Sequence, residues 1–189
     1  DATTVFTDQT KYSFNFWTKV SDYQLAKQDN YFVFEETIFH TAPDLNDAQG
    51  ESDFGIKLAF DFQRHQEDKI QFRLYVRFLN SSETVFMTEY YDNWIRADGS
   101  IGYLHYDKEQ AKNWHNYHWE ITTSGIKLYI DGVLYGTANV SFNTISNTQH
   151  HIFMGYNQAY YANTKQHKTK RYWSSVIADF KIYNDILTQ

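Results

Sequence analysis

Two stretches of strict alternation limit what this chain can fold into. In FGIKLAFDF, Phe54, Ile56, Leu58, Phe60 and Phe62 alternate with Gly55, Lys57, Ala59 and Asp61. In IQFRLYVRF, Ile70, Phe72, Leu74, Val76 and Phe78 alternate with Gln71, Arg73, Tyr75 and Arg77. A strand turns successive side chains to opposite faces, so a period of two means one face buried and one face wet. The polar QRHQEDK between the two stretches reads as their hairpin loop.

The same pattern recurs along the chain, at 12–20, 30–39, 83–91, 100–106, 117–123, 125–130, 151–157 and 173–183. Aromatic residues make up 19% of the 189 residues, and such rings favour pleated, half-buried surfaces. Asp98-Gly99 and Asp131-Gly132, each flanked by apolar strand residues, supply the φ > 0 geometry of tight hairpins. One short helical turn is expected within DKEQAKNW (107–114). Two long loops are expected, one around the single proline, Pro43, and one through QAYYANTKQHKTKRY (158–172). The expectation is an all-β, two-sheet antiparallel sandwich forming a single domain over 1–189, with Phe54, Ile56, Leu58, Phe60, Ile70, Phe72, Leu74 and Val76 facing inward.

Three segments carry a family resemblance. YSFNFWTKV resembles the "fTisaWvkp" strand that opens the laminin-G-like, or concanavalin A-like, jelly rolls. NWHNYHWEITTSGIKLYIDGVLYG is similar to the central signature of that superfamily, in which W-H, a strand, a hairpin and "lYvDG" follow in order. VIADFKIYNDILTQ resembles its closing "iDdvriYnraLs" strand. The three stand in the family's order at the start, middle and end of the chain. The resemblance implies a jelly-roll sandwich in which His115, at the W-H position, is structural. Some members hold a calcium with two acids in the last strand; here Ala178 precedes Asp179, so the first acid is missing. The superfamily hosts lectins, adhesion modules, glucanases and lyases, so the fold leaves function open.

Net charge is −6, which argues against a nucleic-acid partner. No segment has the apolar length of a membrane span, so no membrane insertion by this domain is expected. The opening DATTVFTDQT lacks signal-peptide character and is expected to be a mature N-terminus or an excised domain boundary. Without cysteine there is neither disulfide nor thiolate metal site. Zinc ligands on a strand recur at i and i+2, whereas His115 and His118 are three apart.

Glycoside hydrolysis needs two carboxylates flanking one bond. Taken strand by strand, none qualifies: Glu35 and Glu36 are adjacent, and Glu83 and Glu89 are too far apart. A lyase would need Arg, His, Tyr and Gln on one face, and Arg73, Tyr75 and Arg77 read instead as a solvated face beside Lys57 and Asp61. No enzyme is therefore expected.

Three groups of binding residues stand out. Asp44, Asn46, Asp47 and Asp53 concentrate the hard oxygen donors that suit calcium, without the spacing of a helix-loop-helix site. Tyr90, Asp92, Asn93, Trp94 and Arg96 combine rings with planar hydrogen-bonding groups, the two parts of a sugar site. Tyr160, Tyr161, Lys165 and Arg171 belong to an aromatic, basic stretch suited to an anionic glycan. The expected function is a lectin-like, carbohydrate-binding recognition module of an adhesin or surface protein, extracellular or at the cell surface. Its partner is then a glycan or cell-surface glycoprotein. The alternatives are an adhesion domain without a sugar site and a polysaccharide-degrading enzyme with an atypical site.

Overall fold

The computed structural model describes the backbone of residues 10–20, 34–42, 56–62, 69–79, 85–87, 94–102, 104–139, 144–145, 151–154, 156–160, 168–172 and 176–186. It describes the side chains of 10–20, 38, 94–102, 104, 106–139 and 176–186. The strands are β1 (Lys11–Lys19), β2 (Phe34–Ala42), β3 (Ile56–Phe62), β4 (Lys69–Leu79), β5 (Val85–Met87), β6 (Trp94–Arg96), β7 (Ile101–Gly102) and β8 (His105–Asp107). After the single turn of helix α1 (Lys108–Ala111) come β9 (His115–Thr122), β10 (Gly125–Ile130), β11 (Val133–Asn139) and β12 (Thr144–Ile145). The last four are β13 (His151–Met154), β14 (Tyr156–Tyr160), β15 (Lys168–Tyr172) and β16 (Val176–Tyr183).

One sheet runs β16-β1-β9-β10-β11-β6-β7. The other runs β12-β4-β3-β2-β13, with β5 and β8 also paired to β4. The β3–β4 ladder is antiparallel and aligns Phe60 with Phe72 and Leu58 with Leu74, as the alternation requires. The side chains of 54–78, with the expected inward positions among them, lie outside the described residues.

The core is visible from the first sheet. Tyr12, Phe14 and Phe16 of β1 stand opposite Ile121, Trp119 and Tyr117 of β9. Those in turn face Ile126, Leu128 and Ile130 of β10. All nine are buried, and Ile38 of β2 and Tyr106 of β8 join the same cluster from the second sheet. Burial of this size dominates the stabilisation of the sandwich.

Both Asp-Gly pairs make hairpin turns. Gly99 has φ 82, and Asp131 and Gly132 have φ 51 and 77, the two positive values a two-residue type I′ turn demands. A non-glycine residue in that region is strained, and Asp131 is held there by its side chain. Its Oδ2 accepts from His115 Nδ1 at 2.6 Å, and its Oδ1 accepts from the Asn116 N–H at 2.9 Å. His115 Nε2 meets the Gln110 carbonyl at 2.9 Å, so this one ring ties α1, β9 and the β10–β11 turn together. Burial pushes the Asp131 carboxyl up, but the bonds from His115 and Asn116 outweigh it and leave the group below its ordinary value. The structural role expected of His115 is what the contacts show.

Several boundaries differ from the sequence reading. The stretch 158–172, expected as a loop, instead contributes to the β14–β15 hairpin, which lies against β2. Its alternation is hidden because lysine, threonine and arginine occupy both phases of β15. The 100–106 strand is broken into β7 and β8.

Candidate functional site

Trp94 is not a sugar platform. Its side chain is only 5% exposed and packs edge-on against Trp119, ring centroids 6.2 Å apart. A ring in that position has no face left for a pyranose. Arg96 spans the β6–β7 turn, with Nη1 donating to Ser100 Oγ at 3.0 Å. Ser100 in turn donates from its backbone N–H and its Oγ to Asp98 Oδ1. Trp94, the expected platform, and Arg96, one of its expected rim residues, therefore have structural work.

Tyr90, Asp92, Asn93, Tyr161 and Lys165 lie outside the described residues, as do Asp44, Asn46, Asp47 and Asp53. Tyr160 and Arg171 fall in the β14–β15 ladder, opposite Lys168 and Asn157 respectively. Among the described residues no three His, Asp or Glu side chains gather as metal ligands.

A different arrangement of rings and amides stands on the outer face of the seven-stranded sheet. The odd-numbered residues of β1 point away from the core, since Phe14 and Phe16 point into it. Trp17 is 40% exposed, and its register partners are Asn116 on β9 and Ala178 on β16. Ala178 is small and is itself exposed. Beside it Asn15 and Asn116 exchange amide bonds, Nδ2 of each donating to Oδ1 of the other at 3.3 and 3.0 Å. Trp114, 42% exposed, lies one residue before β9, next to the His115 that pairs with Thr18 of β1. Lys19 places its ammonium 5.6 Å from the centre of the Trp114 ring.

Behind these groups the face is polar yet covered. His118 is 1% exposed, and its ring is tilted against Tyr129 with centroids 5.7 Å apart. Its Nδ1 is 3.5 Å from Asn15 Nδ2 and its Nε2 is 3.7 Å from Glu120 Oε1. Burial holds the His118 ring below its ordinary value despite the carboxylate of Glu120, so it is neutral at neutral pH. The Asn15 amide thus rests on a buried, uncharged partner.

The backbone beside Trp17 is irregular. The β1–β16 register shifts between Asn15 and Trp17, and Asp179 in the bulge has φ 52. Bulges re-aim side chains, and aspartate in the left-handed region is strained. Lys181 Nζ donates to Asp179 Oδ2 at 2.7 Å. The departure noted in the sequence, Ala178 followed by Asp179, is therefore the segment that flanks the exposed indole.

The second sheet adds a register the sequence does not display. Glu35 is opposite Asp61, Asp61 is opposite Gln71, and Gln71 is opposite His105. These four positions form one register row across β2, β3, β4 and β8. Acidic positions compared within strands do not reveal a register partner on the next strand.

No family model matches this chain, and no curated protein matches it. Solved structures do. The botulinum neurotoxin serotype G binding domain superposes with a TM-score of 0.50 at 16% identity over 98% of this chain. The chain spans about a third of that domain, 36%. The CBM40 domain of Ruminococcus gnavus IT-sialidase, solved with α2,3-sialyllactose, gives 0.51 at 8% identity, covering 96% of this chain and 79% of the other. Mouse laminin α1 chain domains LG4-5 superpose at 0.45 and 11% identity, over 94% of this chain and 36% of theirs. The chain carries a jelly-roll β-sandwich fold.

Proposed function

We propose that this chain is a non-catalytic, extracellular carbohydrate-binding module that holds a glycan on the outer face of its seven-stranded sheet. The observation that carries the reading is the exposed Trp17 beside the reciprocal Asn15–Asn116 amide pair. An indole face matches the apolar C–H face of a sugar ring, and planar amides match its hydroxyl rim. Trp114 offers a second ring for a neighbouring sugar. The fold alone would not carry this reading, because it hosts many activities. The test is a glycan array probed with the wild-type chain and with Trp17→Ala. Wild type is expected to retain a defined set of glycans. The substitution is expected to weaken each about tenfold or more, since truncating an aromatic anchor removes on the order of 1–3 kcal/mol of binding. Binding that survives Trp17→Ala at full strength would remove this face from the site.

One observation favours a second reading. Glu35 stands directly opposite Asp61 in the β2–β3 register, so two acidic positions are cross-strand neighbours. Retaining glycosidases place two carboxyl groups on one bond. On this reading the second sheet cleaves polysaccharide, and reducing ends accumulate on a polysaccharide panel with wild type but not with Glu35→Gln. Absence of reducing ends with wild type leaves the binding module as the function.

A further inference from the structure

The outer face of the seven-stranded sheet carries four lysines at register positions around Trp17 and Asn15, and three of them are neutralised. Lys11 pairs with Asp185 at 2.5 Å, Lys127 with Glu120 at 3.5 Å and Lys181 with Asp179 at 2.7 Å. Lys19 is the exception. Among the described residues it has no carboxylate partner, and its ammonium lies against the Trp114 ring instead. The chain as a whole is acidic, with net charge −6, so an unneutralised cation between two exposed indoles runs against its average.

A ring beneath an ammonium orients the charge without cancelling it. A cation–π contact at an exposed site stabilises by less than about 1 kcal/mol and leaves the other ammonium hydrogens free to donate. Lys19 is two residues from Trp17 on the same face of β1, so a sugar stacked on Trp17 brings a ring substituent towards the ammonium. The residue opposite Lys19 on β16 is Val176, which contributes no competing charge. Asp179, further along β16, is occupied by Lys181.

We propose that the glycan held here is acidic, with a ring carboxylate or sulfate received by Lys19 while its apolar face stacks on Trp17 or Trp114. This inference rests on the glycan-binding reading and narrows it to one substrate class. A carboxylate and a sulfate present the same anionic oxygens to a single ammonium, so experiment must separate the two sources. A lysine receives either as a point charge, without the bidentate geometry that arginine would impose.

The test uses two matched pairs of probes. Tetragalacturonate is compared with its methyl ester, which removes only the charge of the carboxylates. Sulfated isomaltotetraose is compared with isomaltotetraose. Each is titrated against the intact chain at low and at physiological salt. At least one acidic probe is expected to bind about tenfold more tightly than its neutral counterpart, the scale of one charge-assisted hydrogen bond. That ratio should shrink as salt rises, because the site is open to solvent. Lys19→Gln should bring the ratio close to one, and Lys127→Gln, which alters an already neutralised lysine, should leave it intact. Whichever pair shows the ratio names carboxylate or sulfate. Equal binding of charged and neutral probes by wild type overturns the inference and leaves the glycan site standing. So does a ratio that persists in Lys19→Gln. Binding of none of the four probes, together with an empty glycan array, overturns both.

Discussion

Trp94→Ala is expected to lower stability by about 3–5 kcal/mol, the range for emptying a large aromatic site in a core. For a domain of this length that corresponds to a fall in Tm of roughly 6–20 °C. The ring is buried and meets Trp119 edge-on at 6.2 Å, so its removal leaves a cavity beside another indole at the centre of the sheet. Trp119 has Phe14 on one flank and Leu128 on the other and cannot shift to fill the space without losing both. Trp94→Phe should recover part of the loss, because it restores most of the volume. Thermal and urea unfolding of the three proteins measures this. A loss under about 1 kcal/mol for the alanine variant would mean that the indole is not a core element.

Gly136→Ala should be the second large effect, through overpacking. A Cβ built on Gly136 would stand 2.3 Å from Leu104 Cδ2 and 3.0 Å from Cδ1. Leu104 is itself buried, so its side chain has no vacant direction in which to retreat. Forcing a methyl into such a contact is expected to destabilise by about 1–3 kcal/mol. The diagnosis is checked by a double-mutant cycle with Leu104→Ala. In that background the added methyl should be close to neutral, because it enters the space the leucine vacates. An undiminished loss there would locate the strain elsewhere, in the β11 backbone rather than in the side-chain contact.

These two positions show what the sequence discloses and what it does not. The period of two placed β3, β4, β9 and β10 within a residue or two. The Asp-Gly pairs marked both hairpin turns, and the W-H segment marked His115 as structural, while its bond to Asp131 emerged only from the fold. Each is a local pattern whose physical cause lies within a few residues. Trp94 failed because its neighbours in sequence, Asp92, Asn93 and Arg96, look like the rim of a sugar site. The decision to bury it is made by Trp119, twenty-five positions away. Gly136 carries no sequence signal, since Leu104 is what forbids its side chain.

The exposed Trp17 and its neighbours drew no notice in the sequence for a related reason. YSFNFWTKV reads as one more amphipathic strand, and its outward positions Asn15, Trp17 and Lys19 gain meaning only when β9 and β16 bring Asn116, Trp114 and Ala178 beside them. The row Glu35, Asp61, Gln71 and His105 likewise forms only across strands. A sequence read one segment at a time separates residues that a sheet aligns.

The central claim is that the binding ring is Trp17 and that Trp94 serves the core. Calorimetric titration of one array-positive glycan into wild type, Trp17→Ala and Trp94→Phe, with Tm recorded for each, tests it most directly. The account predicts that Trp17→Ala loses about tenfold or more in affinity while its Tm stays near wild type. It predicts that Trp94→Phe binds with wild-type affinity at a lowered Tm. Intact binding by Trp17→Ala together with lost binding by Trp94→Phe would contradict it.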